Sequence, residues 1–271
     1  MPAAPGGYDP AFLGVDVPLP VPAAARETAL LDYPHFSIVL DLERRFAAVT
    51  GVNIDGAALR EVPRSGRWRL DRRVDRDQQA GNSIYVDNDL DRGHLVRRRD
   101  PGWGTAAVAR AATEATFVYP NAAPQAAVFN QSKNLWLGLE DHVLAYAGAE
   151  HLRISVFTAP VLADDDPPYR GIRVPLRFFK AVAWVDGRGA LAATGFVLDQ
   201  SELVDTSDRA RRVRPLGAYR TFQVPLAEIE TLAQIELGPM TAADVSRAPA
   251  AREPVWRTLH GADDIRLAPD G

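Results

Sequence analysis

The sequence predicts an α+β domain. Apolar, β-branched runs of strand length recur between Phe36 and Leu198, and helical patterns fall among them without strict β-α alternation. With 271 residues, 46% of them hydrophobic and 24% charged, the chain can bury a full core. That balance excludes a collagen, a coiled coil or a disordered tail, and no apolar stretch nears the ~20 residues of a membrane span.

Residues 1–34 read as an extended, proline-rich arm with a short helix expected at 23–31. Runs 36–42 and 46–53, separated by Glu43, Arg44 and Arg45, read as a hairpin near the sheet centre, and Asn53, Asp55 and Gly56 mark the turn that follows. Short strands are expected at 68–74 and 83–86, ahead of the acidic Asp87-Asn88-Asp89. The alanine-rich 105–116 favours helix, and 117–119 is a brief strand entering Pro120. Residues 134–149 give the clearest helix, with Trp136, Leu139, Val143 and Tyr146 spaced 3, 4 and 3 apart on one buried face. Strands at 152–157, 177–185 and 191–198 read as a second sheet region, and 225–235 as a helix begun by proline. The expected organisation is an arm (1–34), one domain (35–240) and a patternless tail (241–271).

The absence of cysteine removes disulfides, thiol nucleophiles and thiolate metal sites, so any metal must be held by oxygen or nitrogen. Pro2, Pro5, Pro10, Pro18, Pro20 and Pro22 interrupt the apolar run that a secretory signal needs, so no such signal is expected and a cytoplasmic location is the default. Net charge is −4, but residues 60–99 hold 11 arginines against 7 acids, a local excess of +4 that could meet a polyanion. Lysine occurs only at Lys133 and Lys180, so the arginine bias also fits codon composition.

Of the five histidines, only His94 lies in a polar, glycine-containing setting, Asp91-Arg92-Gly93-His94. An imidazole beside an arginine suits general base chemistry on an anion; a surface Asp91-Arg92 pair and a turn at Gly93 would be the plain alternative. No two histidines have i, i+3 or i, i+4 spacing for a metal, and His142 and His151 read as structural. Downstream come Asn121, Pro124 and Gln125, then Asn130, then Trp136, Leu139 and Glu140. Trp136 and Leu139 are helix core by spacing, and Trp103, between two glycines, reads as a loop anchor or a base-stacking platform.

Taken in order over residues 35–200, these pieces resemble the non-specific DNA/RNA endonuclease family, marked by Asp-Arg-Gly-His, Asn-x-x-Pro-Gln, an asparagine nine residues on, and a helical Trp-x-x-Leu-Glu. The resemblance implies a ββα-metal site on a central antiparallel sheet flanked by helices, and hydrolysis of DNA and RNA with slight sequence preference. It implies His94 as the general base, Asn130 as the ligand of one Mg²⁺ or Mn²⁺, and Glu140 behind that ion. Arg92 would contact the phosphate, Asn121 would bond near base and phosphate, and Asp91 would hold the geometry. Trp136 follows Asn130 by six residues instead of the usual four, which leaves Asn134 as the alternative ligand. The family's upstream phosphate-binding arginine precedes a tryptophan, which selects Arg67, with Arg69 and Arg73 as alternatives in the stretch 64–76. An inhibitor or immunity protein is a partner such a nuclease could need, and no membrane is. The rival expectations are a silent nucleic-acid-binding module and a phosphodiesterase for a small nucleotide.

Overall fold

The computed structural model describes residues 6–126, 144–145, 147–148, 150–204, 220–246, 256–261 and 264–266. In chain order the strands are β1 (Val21–Pro22), β2 (Thr28–Tyr33), β3 (Phe36–Asp41), β4 (Phe46–Asp55), β5 (Leu90–His94), β6 (Ala122–Ala126) and β7 (Arg153–Val161). They continue with β8 (Pro168–Tyr169), β9 (Ile172–Arg173), β10 (Arg177–Val185), β11 (Leu191–Asp199), β12 (Arg220–Val224), β13 (Ile235–Glu236) and β14 (Arg257–Leu259). The α-helices among the described residues are α1 (Ala106–Ala115), α2 (Leu226–Ala233) and α3 (Pro239–Ala242), apart from helical residues at 144–145 and 147–148.

One sheet of eight strands, ordered β14-β12-β11-β10-β7-β4-β3-β2 with antiparallel neighbours, organises the molecule. Its central strands read as unbroken apolar runs because both faces are covered. Ile38, Val52, Val156, Phe178 and Phe196 turn to one face, where Tyr119 and β6 pack over them. Val49, Phe157, Phe179 and Val197 turn to the other, covered by Leu226 and Ile229 of α2 and by Tyr8 and Val17 of the N-terminal arm. Each fully buried phenylalanine contributes roughly 1.5–3 kcal/mol, a large part of a net stability of ~5–15 kcal/mol, so the two-sided sheet is the rigid floor of the fold.

Several sequence expectations change in the structure. The arm's expected helix at 23–31 gives way to a turn and then the edge strand β2, whose partner β3 supplies the ladder from Thr28↔Asp41 to Tyr33↔Phe36. The strands at 152–157, 177–185 and 191–198 do not form a separate region: β4 pairs directly with β7, Thr50 opposite Thr158, so they join one sheet. Residues 68–74 make a single bridge at Arg69 to Val118 and then turn, because the Asp71 carboxylate accepts from the backbone N and side chain of Arg73. At 83–86 a 3-10 turn over Asn82–Ile84 replaces the strand, its carbonyls taken by the side chains of Asn88 and Arg170. Residue 118 alone bridges in the stretch 117–119, before a 3-10 turn at Tyr119–Asn121. The tail contributes β14 to the sheet edge.

The hairpin β3-β4, helix α1 with Thr105 as its N-cap, and α2 entered from Pro225 match the sequence pattern. Of the helix expected at 134–149, most residues, Trp136, Leu139 and His142 included, lie outside the described residues.

Candidate active site

Two sequence segments that lie apart in the chain form one antiparallel ribbon. In β5 and β6, Asp91 stands opposite Gln125, Arg92 opposite Pro124, Gly93 opposite Ala123 and His94 opposite Ala122. Gly93 sits within the strand rather than at a turn: a Cβ there would lie 2.1 Å from Cδ of the buried Gln125. Glycine is therefore what lets the Gln125 side chain cross the ribbon. A buried side chain, Gln200, anchors it, donating from Nε2 to the carbonyls of Pro124 (3.1 Å) and Pro175 (2.8 Å) while Oε1 accepts from Ala126 N (3.0 Å).

His94 closes β5. Its ring packs against Trp68, with centroids 4.5 Å apart, and edge-on to Phe117 at 5.0 Å. Nε2 is buried and has no hydrogen-bond partner among the described residues. Burial, then the like charges of Arg64, Arg98 and Arg97, push the imidazole pKa down to about 3. The ring is thus neutral at physiological pH, with a solvent-shielded nitrogen able to accept a proton. Burial and the neighbouring arginines lower Arg98 as well, and its Nη1 is tethered to Val62 O at 2.6 Å.

Arg92 does not pair with its sequence neighbour as the plain alternative had it. Nη2 donates to Asn82 Oδ1 at 2.5 Å, the guanidinium lies 5.3 Å from the Tyr85 ring centroid, and Nε is buried without a hydrogen-bond partner among the described residues. The Tyr119 hydroxyl donates to the same Asn82 oxygen at 3.1 Å, so one amide carbonyl orients both groups. Tyr85 is buried, which raises its phenol pKa and keeps the platform beneath Arg92 uncharged. Asn82, Tyr85 and Gln200 belong to no motif; their places follow from long-range packing.

Asn121 is fully buried and committed to backbone. Its Oδ1 accepts from Val96 N, and Nδ2 donates to Val96 O and Thr116 O, each at 2.9 Å. Its amide protons tie the segment leaving His94, at Val96, to the end of α1, at Thr116, which gives Asn121 a scaffold place. Asp91 is half-buried on β5. Asn130, Asn134 and Glu140 lie outside the described residues. Among the described residues no group of three or more histidines and carboxylates could hold a metal ion.

Of the candidate phosphate arginines, Arg73 is engaged elsewhere. It chelates Asp71, and against the effect of burial, hydrogen bonds from Arg73 and Tyr33 hold that carboxyl at about 2. Arg69 donates to Glu114 O at 3.1 Å, whereas Arg67 is exposed and lines a cavity of about 680 Å³ together with Trp68 and Arg92. Trp103 is a loop anchor: Nε1 donates to Asn53 O at 2.7 Å and the indole stacks on His35 with centroids 3.5 Å apart.

Comparison with known proteins places the chain in a family and a fold. Residues 20–244 match the family model described as DNA/RNA non-specific endonuclease. The chain is 37% identical over 249 residues to Uncharacterized protein y4fB of Sinorhizobium fredii, an alignment covering 82% of this chain. It spans only 37% of that relative's length. Among solved structures, one described as a crystal structure of the EndoG/EndoGI complex aligns at a TM-score of 0.58 and 18% identity, over 76% of this chain and 84% of that one. The likeness is one of fold, a ββα-metal nuclease arrangement on a mostly antiparallel sheet.

Proposed function

The chain belongs to the DNA/RNA non-specific endonuclease family, and from that premise we propose that it hydrolyses phosphodiester bonds in DNA and RNA with little sequence preference. The observation that carries this reading is the orphaned, buried Nε2 of a neutral His94 set among arginines. A nitrogen without a hydrogen-bond partner among the described residues is free for the proton of a water that arrives with substrate, and the surrounding charge attracts a polyanion.

In this reading a water placed beside His94 attacks phosphorus as its proton passes to Nε2. The P–O3′ bond then breaks, and the 3′ oxygen leaves and takes a proton from solvent. Arg92 binds the phosphate oxygens and their growing charge through its planar fork, aimed by Asn82 and Tyr85. Arg67 takes phosphate from the cavity side. Asn121 and Asp91 act as positioning residues for the ribbon and the segment after it. The family's divalent ion, Mg²⁺ or Mn²⁺, fits a site whose base is held neutral, since a protonated ring would repel a cation. Asn130 would hold it, with Asn134 as the alternative and Glu140 behind. Once bound, such an ion supplies neutralisation of charge at the leaving oxygen.

Contacts by arginine to phosphate carry no base code, which supports slight sequence preference. The EndoG structure contains that protein with EndoGI in a complex described as its inhibition. A comparable inhibitor or immunity protein for this chain would cover the arginine-lined face. Among the described residues no helix is long and apolar enough to cross a membrane.

The test is incubation of wild type and His94→Ala with supercoiled plasmid and total RNA in Mg²⁺, Mn²⁺ or EDTA. Metal-dependent loss of both substrates with the wild type alone is the expected result. Intact substrates with a folded wild-type protein would overturn the reading, in favour of a silent binding module or a small-nucleotide phosphodiesterase.

A further inference from the structure

The cavity beside His94 is larger than one phosphate contact requires. Five arginines line its volume of about 680 Å³, Arg45, Arg67, Arg69, Arg76 and Arg92, with Trp68 among them and no aspartate or glutamate in the wall. None of the five makes an ion pair with a carboxylate among the described residues. Arg45 and Arg69 are held by backbone carbonyls: Arg45 donates to Gln79 O (3.2 Å) and Gly171 O (3.4 Å), and Arg69 to Glu114 O. These bonds fix the guanidinium positions without neutralising their charge. Arg67 and Arg76 are exposed and make no hydrogen bond or ion pair among the described residues.

Like charges around one concavity repel one another, and a bound anion relieves that repulsion. The volume suits a nucleotide-sized ligand rather than a lone oxyanion. The indole of Trp68, which separates the cavity from the His94 ring, offers a surface against which a base can lie. Arg92 sits at the end nearest the ribbon and is the residue assigned to the scissile phosphate. The charge at Arg45 and Arg76 is then left for a different phosphate of the same strand.

We infer that this cavity is a second nucleotide subsite, in which Arg76 and Arg45 hold a phosphate flanking the scissile one. The inference rests on the nuclease reading in taking a nucleic-acid strand as its ligand. It predicts that a short substrate is bound through its neighbouring phosphate, so a terminal phosphate on an oligonucleotide counts as a contact.

The experiment measures binding without turnover, using wild-type protein in EDTA and fluorescent deoxytetranucleotides carrying a 5′ phosphate, a 3′ phosphate or neither. One terminal phosphate should tighten binding by about tenfold, as a charge-assisted contact does. Which end does so identifies the side of the scissile bond that the cavity serves. Arg76→Gln, a change at an exposed side chain, should abolish that gain, and Arg76→Lys should restore part of it. The slope of log K against log salt on single strands should shrink by about 0.7 in Arg76→Gln and stay as in wild type for Arg110→Gln on helix α1. Undiminished terminal-phosphate preference and an unchanged slope in Arg76→Gln, with plasmid still cleaved in metal, would overturn the subsite alone. Failure of the wild type to cleave any substrate while the Arg76-dependent preference persists would overturn the nuclease reading and leave the subsite standing.

Discussion

The His94 pocket and the arginine cavity share Trp68 as a wall, yet they are built on opposite principles. On one side the imidazole is enclosed by Trp68 and Phe117, and its Nε2 is buried with no hydrogen-bond partner among the described residues. On the other, Arg67 and Arg76 stand in solvent without partners among the described residues. Burial keeps the base uncharged and in one orientation, at a cost in proton affinity. A polyanion site gains from exposed cations, which attract the strand from a distance and pay little desolvation until it arrives.

The contrast predicts a large effect on turnover and a small one on binding at the first site. His94→Ala should lower kcat by about 100-fold or more, the usual worth of a positioned base, while affinity for a labelled oligonucleotide in EDTA stays near wild type. Retention of more than about 10% of the rate would remove His94 from that role. Because the ring also packs, circular dichroism of the variant belongs to the same measurement.

The next effect is smaller and tests the link between the two regions. Asn82 orients Arg92 and Tyr119 through one oxygen. Asn82→Ala should cost about tenfold in kcat, the scale of a lost hydrogen bond to a charged group, and less than Arg92→Ala. Equal losses in the two variants would mean that Arg92 depends wholly on Asn82. No loss would mean that the Tyr85 platform alone suffices.

How far the sequence foresaw this site depends on the range of the forces that build it. Asp91, Arg92, Gly93 and His94 were legible because four chemically distinct residues sit in a row, and the family pattern paired them with Asn121 and Gln125. The α+β class followed from strand-length apolar runs without strict β-α alternation, and the antiparallel sheet from the family resemblance. Asn82, Tyr85 and Gln200 were not legible, since each acts on residues from 7 to 76 positions away in sequence. The stretches 68–74 and 83–86 read as strands from the apolar residues within them, whereas side chains of Asp71, Asn88 and Arg170 capture the backbone there. Asn121 shows a related limit: spacing locates a residue but does not reveal that both of its amide protons go to backbone carbonyls.

Gly93 carries a stability prediction of the same kind. A methyl group at Gly93 would overlap the side chain of Gln125, a buried residue of β6, so Gly93→Ala should destabilise the fold by about 1–3 kcal/mol, the range of overpacked interiors. Thermal unfolding checks it, and a Tm within error of wild type would mean that the Gln125 side chain has room to move aside.

The smallest expected effect is also the one that separates burial from charge at His94. His94 acts as a base only when neutral, so kcat/KM falls as pH drops through the pKa of the free enzyme. Burial first, then Arg64, Arg98 and Arg97, hold that pKa at about 3, and the profile should therefore show no acid break near the ordinary histidine value of about 6.5. The same shift works on stability. Between about pH 6.5 and 3 the unfolded chain binds a proton at His94 that the folded chain refuses, so the fold loses stability as pH falls through that window. Arg98→Gln removes one like charge while leaving the aromatic walls in place. Protonation becomes easier, and the acid limb should move upward, though it stays below 6.5 because burial is the larger cause. A limb already at 6.5 in the wild type would mean that the enclosure does not lower the proton affinity of His94, and the division between a buried base and an exposed phosphate cavity would fall with it.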